Sequence, residues 1–290
     1  HPLAAELPLA QMPVTRFLRY QVKENVIAKA DGSPVLAEAA FGQGRVFLAT
    51  WETKRPNPKS GKYNSASTFM LPLQFDEQPD ISHKYHEYQY ALLGRIVQAA
   101  AGLDSGVTAK ISATPGGTKV MLKSGKNLDA DVRLTLRNKY SEEIASFSKK
   151  VALPENDATE VSFEYAEPDL TGLHFADIVI AEGTNGALWW GAAVFQVDHP
   201  AIKSVQLEER VYRPDENVQG TVVADGKVRV TLFDTYGNAL AKSEGDKFSF
   251  PLAGVRTPNA RLLVELLSEK GKVRDKVYKR IEKHTAPDPR

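Results

Sequence analysis

From residue 105 onward the side chains alternate with a period of two, and this excludes a helical body for most of the chain. In VRLTLR (132–137), Val132, Leu134 and Leu136 oppose Arg133, Thr135 and Arg137. EVSFEY (160–165) sets Val161, Phe163 and Tyr165 on one face. FADIVIAEGTNGALWWGAAVFQV (175–197) reads as two strands around Gly-Thr-Asn-Gly, a hairpin pattern. Short strands with turn residues between them predict a β-sandwich over 105–198. VDHPAIKSV (197–205) reads as a linker into a second sandwich over 199–283. Turns are expected there at Arg213-Pro214-Asp215, Asp225-Gly226, Tyr236-Gly237-Asn238 and Glu269-Lys270-Gly271. Residues 284–290 form a polar tail.

Residues 1–104 read differently. Segments 16–30, 33–40 and 45–51 are extended, and 52–68 is a long loop of Pro, Gly, Ser, Asn and Lys. Over 81–102 the spacing becomes helical: Tyr85, Tyr88, Leu92, Ile96 and Ala99/Ala100 share one stripe, and Gly102 is placed to stop the helix.

Gly42-Gln43-Gly44 lies between two apolar runs and raises the question of a phosphate loop. Such a loop needs a helix after its glycines, whereas Arg45–Thr50 reads as strand. A hairpin turn with both glycines at positive φ explains the pair without a ligand.

Thirty-seven basic residues against thirty-six acidic give a net charge of +1. That removes the electrostatic case for a nucleic-acid or anionic-membrane partner. No apolar run reaches the ~18 residues of a membrane span. With no cysteine, the chain holds no disulfide, thiolate metal site or cysteine nucleophile, and suits periplasm, cell surface and cytosol alike. It opens on His1 rather than Met, and HPLAAELPLAQMP reads as the middle of a domain, so a piece of something longer is expected.

PVLAEAAFGQGRVFLAT, then a loop and a helix ending in ALLGRIVQAAAG, resembles the close of a class I glutamine-amidotransferase-like domain of the ThuA-like variety. HPLAAELP is similar to a phrase late in such domains. The resemblance covers residues 1–104 and implies a partial α/β, flavodoxin-like segment. Thr50-Trp51 stands where the family often has Gly-His, and the family's catalytic cysteine has no counterpart, so a fold is implied and not an activity. In some bacterial glycoside hydrolases an inactive domain of this type follows the catalytic barrel and precedes β-sandwiches. GLHFADIVIAEGTNGALWWGAAVFQV resembles strand pairs of such accessory sandwiches, and VYRPDENVQGTVVADG the opening of macroglobulin or fibronectin-like modules.

The expected fold is therefore mixed: a partial flavodoxin-like, amidotransferase-like segment and two all-β Ig-like sandwiches. The expected function is that of a non-catalytic accessory region of a bacterial carbohydrate-active enzyme. Its partners would be an upstream catalytic part and polysaccharide, in the periplasm or at the cell surface, with no cofactor. A spacer or adhesion module of a surface protein is the alternative.

Three groups of residues are candidates for a site. Trp190 points to the face opposite Trp189, which is in phase with Phe195 and Val197; burial of both, one in the core and one under a neighbouring domain, is the favoured reading, and if one is exposed to stack on a sugar it is Trp190. Trp51 and Tyr63 flank Lys54, Arg55, Lys59 and Lys62 in a loop suited to an acidic glycan, or merely to solvation. His83, His86 and Glu87 offer a metal set at i, i+3, although aromatics between them favour packing. The remaining carboxylates cannot be paired from sequence, and no Gly-x-Ser-x-Gly elbow is present, so catalysis has no support here.

Overall fold

The computed structural model describes residues 3–11, 16–17, 25–42, 44–52, 86–103, 105–183, 186–208 and 210–284, with backbone alone for 16–17, 51–52 and 86. These fall into two compact units. The first holds the described residues of 1–75, 81–166 and 173–195, and the second those of 167–172 and 196–290.

In the first unit, β1 (Arg16–Phe17) pairs with β5 (Trp51–Glu52), and β2 (Val26–Ala30), β3 (Ser33–Phe41) and β4 (Gly44–Ala49) form an antiparallel meander. Phe41 pairs with Gly44, so the Gly-x-Gly stretch is a hairpin turn. Gly42 takes a positive φ of 60°, whereas Gly44 is simply the first residue of β4. The expectation of two left-handed glycines is corrected to one.

Helix α1 (His86–Ala100) follows, and Gly102 at φ 69° ends it as the sequence suggests. Leu92 of α1 packs with Leu7, Ile27, Val35 and Leu36 in a small core. The flavodoxin-like expectation fails here. Among the described residues of 1–103 every strand pair is antiparallel, β2, β3 and β4 follow one another as hairpins, and the α-helix comes only after the last of these strands. A doubly wound sheet needs parallel strands with a helical crossover between them. Ala-rich, Gly-punctuated runs such as SPVLAEAAFGQGRVFLA fit a parallel core as well as a two-sided hairpin, which is why the pattern misleads.

The strands β6 (Val107–Thr114), β7 (Gly117–Ser124), β8 (Leu128–Asn138), β9 (Glu143–Leu153), β10 (Ala158–Glu164), β11 (Gly172–Ala181) and β12 (Ala187–Val197) make two sheets. Their orders are β10-β7-β6 and β12-β11-β8-β9. Val120, Leu122, Val161 and Phe163 of the first sheet, and Val132, Leu134, Leu136, Ile178 and Ile180 of the second, are buried. Alternation in β8 is regular, with Arg133, Thr135 and Arg137 turned outward from that core. In β11, by contrast, both faces are covered: His174, Ala176 and Ile178 on one side, Phe175 and Asp177 on the other. A strand hidden on both faces sits under something, and here that is α1.

The second unit contains β13 (Ile202–Leu207), β14 (Val211–Tyr212), β15 (Asn217–Ala224), β16 (Lys227–Asp234), β17 (Ala239–Glu244), β18 (Lys247–Pro251), β19 (Asn259–Leu267) and β20 (Val273–Lys283). Its sheets run β13-β15-β18 and β14-β20-β19-β16-β17. Val218, Val222, Phe248 and Phe250 from the first meet Val230, Leu232, Leu262 and Val264 from the second in one core. The turns expected from sequence at Asp225-Gly226, Tyr236-Gly237-Asn238 and Glu269-Lys270-Gly271 lie between these strands, with each glycine at positive φ.

Candidate functional site

The polar chemistry of the first unit gathers where α1 and residues 3–9 meet the outer face and edge of the β12-β11-β8-β9 sheet. Tyr88, 1% exposed, donates its phenol hydrogen to Asp177 Oδ1 at 2.7 Å. Arg137 Nε donates to Asp177 Oδ2 at 3.0 Å, and its Nη1 to the Ser141 carbonyl at 3.2 Å. This arrangement follows from strand register. Phe175 pairs with Arg137 and Asp177 with Thr135, so Arg137 and Asp177 share a face two residues apart.

Burial raises the Asp177 carboxyl above its usual range, against the opposing pull of the Tyr88 hydrogen bond and Arg137. Burial likewise pushes the Tyr88 phenol far up, reinforced by the Asp177 charge. Glu87 beside them is also raised, by desolvation first, with the charge of Asp177 adding to it.

The Tyr88 ring stacks on Phe175 at 5.7 Å and on Trp190 at 5.6 Å and 10°. Trp190 therefore faces the side of β12 that strand parity assigns to it, but Tyr88 covers it there. Trp189 turns the other way and lies with its ring near Gly191.

Arg95 is the second anchor. Its Nη1 donates to the carbonyls of Leu3 at 3.1 Å and Ala5 at 2.6 Å, its Nη2 to that of Trp190, and its guanidinium sits 5.4 Å from the centre of the Trp189 ring. Burial lowers its pKa to about 10, with Glu6 opposing the shift by its charge. Glu6 closes the sandwich edge: its carbonyl accepts from Ala192 N at 2.8 Å and its Oε2 from Ile111 N at 3.0 Å. One residue thus engages an edge strand of each sheet, β12 and β6, and removes backbone donors that would otherwise be open to pairing.

An open cleft of about 550 Å³ lies over this junction, lined among others by Arg45, Arg95, Gln98, Thr108, Trp189 and Trp190. Arg45 Nε pairs with Glu38 at 2.5 Å and Nη1 donates to the Ala99 carbonyl at 3.3 Å.

The other residues singled out in the sequence are distributed differently. Trp51 lies in β5, where its backbone pairs with Phe17, and its side chain falls outside the described residues. Tyr63 and His83 lie outside them altogether, as does the side chain of His86, the first residue of α1. Glu87 is brought to Asp177 and Arg137. Among the described residues no group of three or more His, Cys, Asp and Glu is placed to hold a metal ion. No described helix is long and apolar enough to cross a membrane.

Sequence reasoning missed Asp177, Arg95 and Glu6. Two of them left a trace. Asp177 is an acid inside the otherwise apolar FADIVIA, and Arg95 is a cation beside the apolar stripe of α1; each asks for a partner. Glu6 left none.

No protein-family profile matches the chain, and no curated protein does. Among solved structures it is similar to the β-glucuronidase of Ruminococcus gnavus. In the complex with D-glucuronic acid the identity is 14%, with 59% of this chain and 37% of that chain covered, at a TM-score of 0.28. The complex with uronic isofagomine gives 16% identity, 59% and 36% coverage and a TM-score of 0.28. The likeness thus takes in little more than a third of those chains. Scores this low define neither a shared fold nor an activity.

Proposed function

We propose that this chain is a non-catalytic accessory region of a bacterial carbohydrate-active enzyme, in which the first unit is a preassembled packing block with weak affinity for polysaccharide. The observation that carries the reading is the use made of the unit's chemically capable groups. Asp177 is held by Tyr88 and Arg137, Arg95 by three carbonyls, and Trp190 by the Tyr88 ring. Such groups, locked on one another, hold elements together rather than converge on a reacting atom. The sequence resemblance of the first sandwich to accessory sandwiches of glycoside hydrolases supplies the enzyme class. The expected partner is the catalytic part of the same or an associated polypeptide, and the expected location the periplasm or cell surface.

The test compares the natural reading frame with a version lacking these residues, alongside the 290-residue chain alone. The reading predicts that the chain alone releases no product from aryl glycosides, and that its removal lowers the melting temperature or oligomeric order of what remains. Glycoside turnover by the isolated chain would overturn it.

A further inference from the structure

We infer that the cleft over Arg95 binds a carboxylate-bearing sugar, a uronate unit of an acidic polysaccharide. This rests on the accessory reading and names the class of glycan it would hold.

The charge of the lining comes first. Arg45 and Arg95 line the cleft, and no acidic side chain does among the described residues. Arg45 is balanced by Glu38, whereas Arg95 has only carbonyl oxygens as hydrogen-bond partners. Glu6 offsets part of the burial cost of this guanidinium through its charge without bonding to it, and an anion placed against the open donors recovers more of that cost. The three bonds of Arg95 use Nη1 twice and Nη2 once. Its Nε hydrogen and one Nη2 hydrogen take no partner among the described residues, which leaves donors for a planar acid.

The remaining lining argues for a sugar rather than a bare ion. Leu188 and the part of the Trp189 ring that lines the cleft give apolar surface beside the cation, while Gln98, Ser105 and Thr108 bring groups that pair with hydroxyls. A volume of about 550 Å³ lies within the ~300–1,000 Å³ of small-molecule sites. Inorganic anions would use the arginines and leave the aromatic wall idle.

The experiment titrates the full 290-residue chain with tri-galacturonate, with neutral cellotriose and with inorganic phosphate, followed by calorimetry. It is repeated on Arg45→Gln, a surface position whose loss leaves the three Arg95 anchors in place, and on Arg95→Lys. The expected result is binding of tri-galacturonate in preference to the other two. Each variant should weaken it about tenfold or more, the effect of one charge-assisted hydrogen bond, with Arg45→Gln still folded and its melting temperature lowered only by the loss of an exposed ion pair. Equal binding of cellotriose would overturn the acidic class and leave the accessory reading standing. Equal binding of phosphate would reduce the site to an anion hole and overturn the sugar. Absence of all binding, or full affinity in Arg45→Gln and Arg95→Lys alike, would overturn the inference, while the truncation comparison decides the accessory role separately.

Discussion

Tyr88 and Asp177, 89 residues apart in sequence, meet at 2.7 Å between phenol oxygen and carboxylate, and this contact seats α1 on the first sandwich. Removing the hydroxyl in Tyr88→Phe leaves Asp177 dependent on Arg137 alone. Since the lost bond is to a charged acceptor at a buried site, the variant should lose about 1.5–3 kcal/mol, read as a lower urea midpoint.

The same carboxyl sets a pH dependence of unusual sign. Burial raises the folded pKa of Asp177 above its unfolded value, so the folded unit binds that proton more tightly than the unfolded chain. Its contribution is fully present below the unfolded carboxylate range, ~3.9, and is lost as pH rises through the higher folded value. Glu87, also raised, acts in the same direction. Wild type should therefore gain stability relative to Asp177→Asn between about pH 7 and about pH 4. A difference that shrinks on acidification would show that pairing with Arg137, and not burial, governs the group.

Gly191 permits two close approaches at once. A Cβ there would lie 2.7 Å from the Glu6 carbonyl oxygen and 2.9 Å from Cζ2 of Trp189. The first neighbour is backbone and cannot swing away. Gly191→Ala should cost about 1–3 kcal/mol and loosen residues 3–9 from the sandwich edge, visible as faster proteolysis there.

Gly42 makes the opposite test, because nothing lies within 4 Å of its missing Cβ. Only its φ of 60° resists substitution, so Gly42→Ala should cost about 1–2 kcal/mol through backbone strain. Phosphate should leave the melting temperature unchanged in both forms of this hairpin.

The sandwiches were legible because alternation such as Val132/Leu134/Leu136 reports one buried and one open face, and Asp225-Gly226 or Tyr236-Gly237-Asn238 can only turn. Helix α1 was legible for the same reason, from Tyr88, Leu92 and Ile96. The flavodoxin-like reading of 1–104 went astray because apolar runs carry no record of strand direction: Ala37 faces Leu48 across an antiparallel ladder that the sequence does not announce. The candidate site was half visible. Parity assigned Trp190 to the outer face, yet nothing local told that Tyr88 would cover it. Contacts such as Glu6 to Ile111 and Arg95 to Leu3 join residues about a hundred positions apart, and no periodicity encodes them.

Residues 3–9, the β2–β4 meander, α1 and the first sandwich belong to one compact unit and are expected to fold as one cooperative body. Amide hydrogen exchange resolved by segment tests it most directly. The account predicts that amides of Leu36 and Ala37 in β3 open with the same free energy as those of Ile178 and Ile180 in β11, and that Tyr88→Phe lowers both together. Early exchange of β3 while β11 stays protected would contradict it and make the N-terminal segment a separate, weakly attached piece.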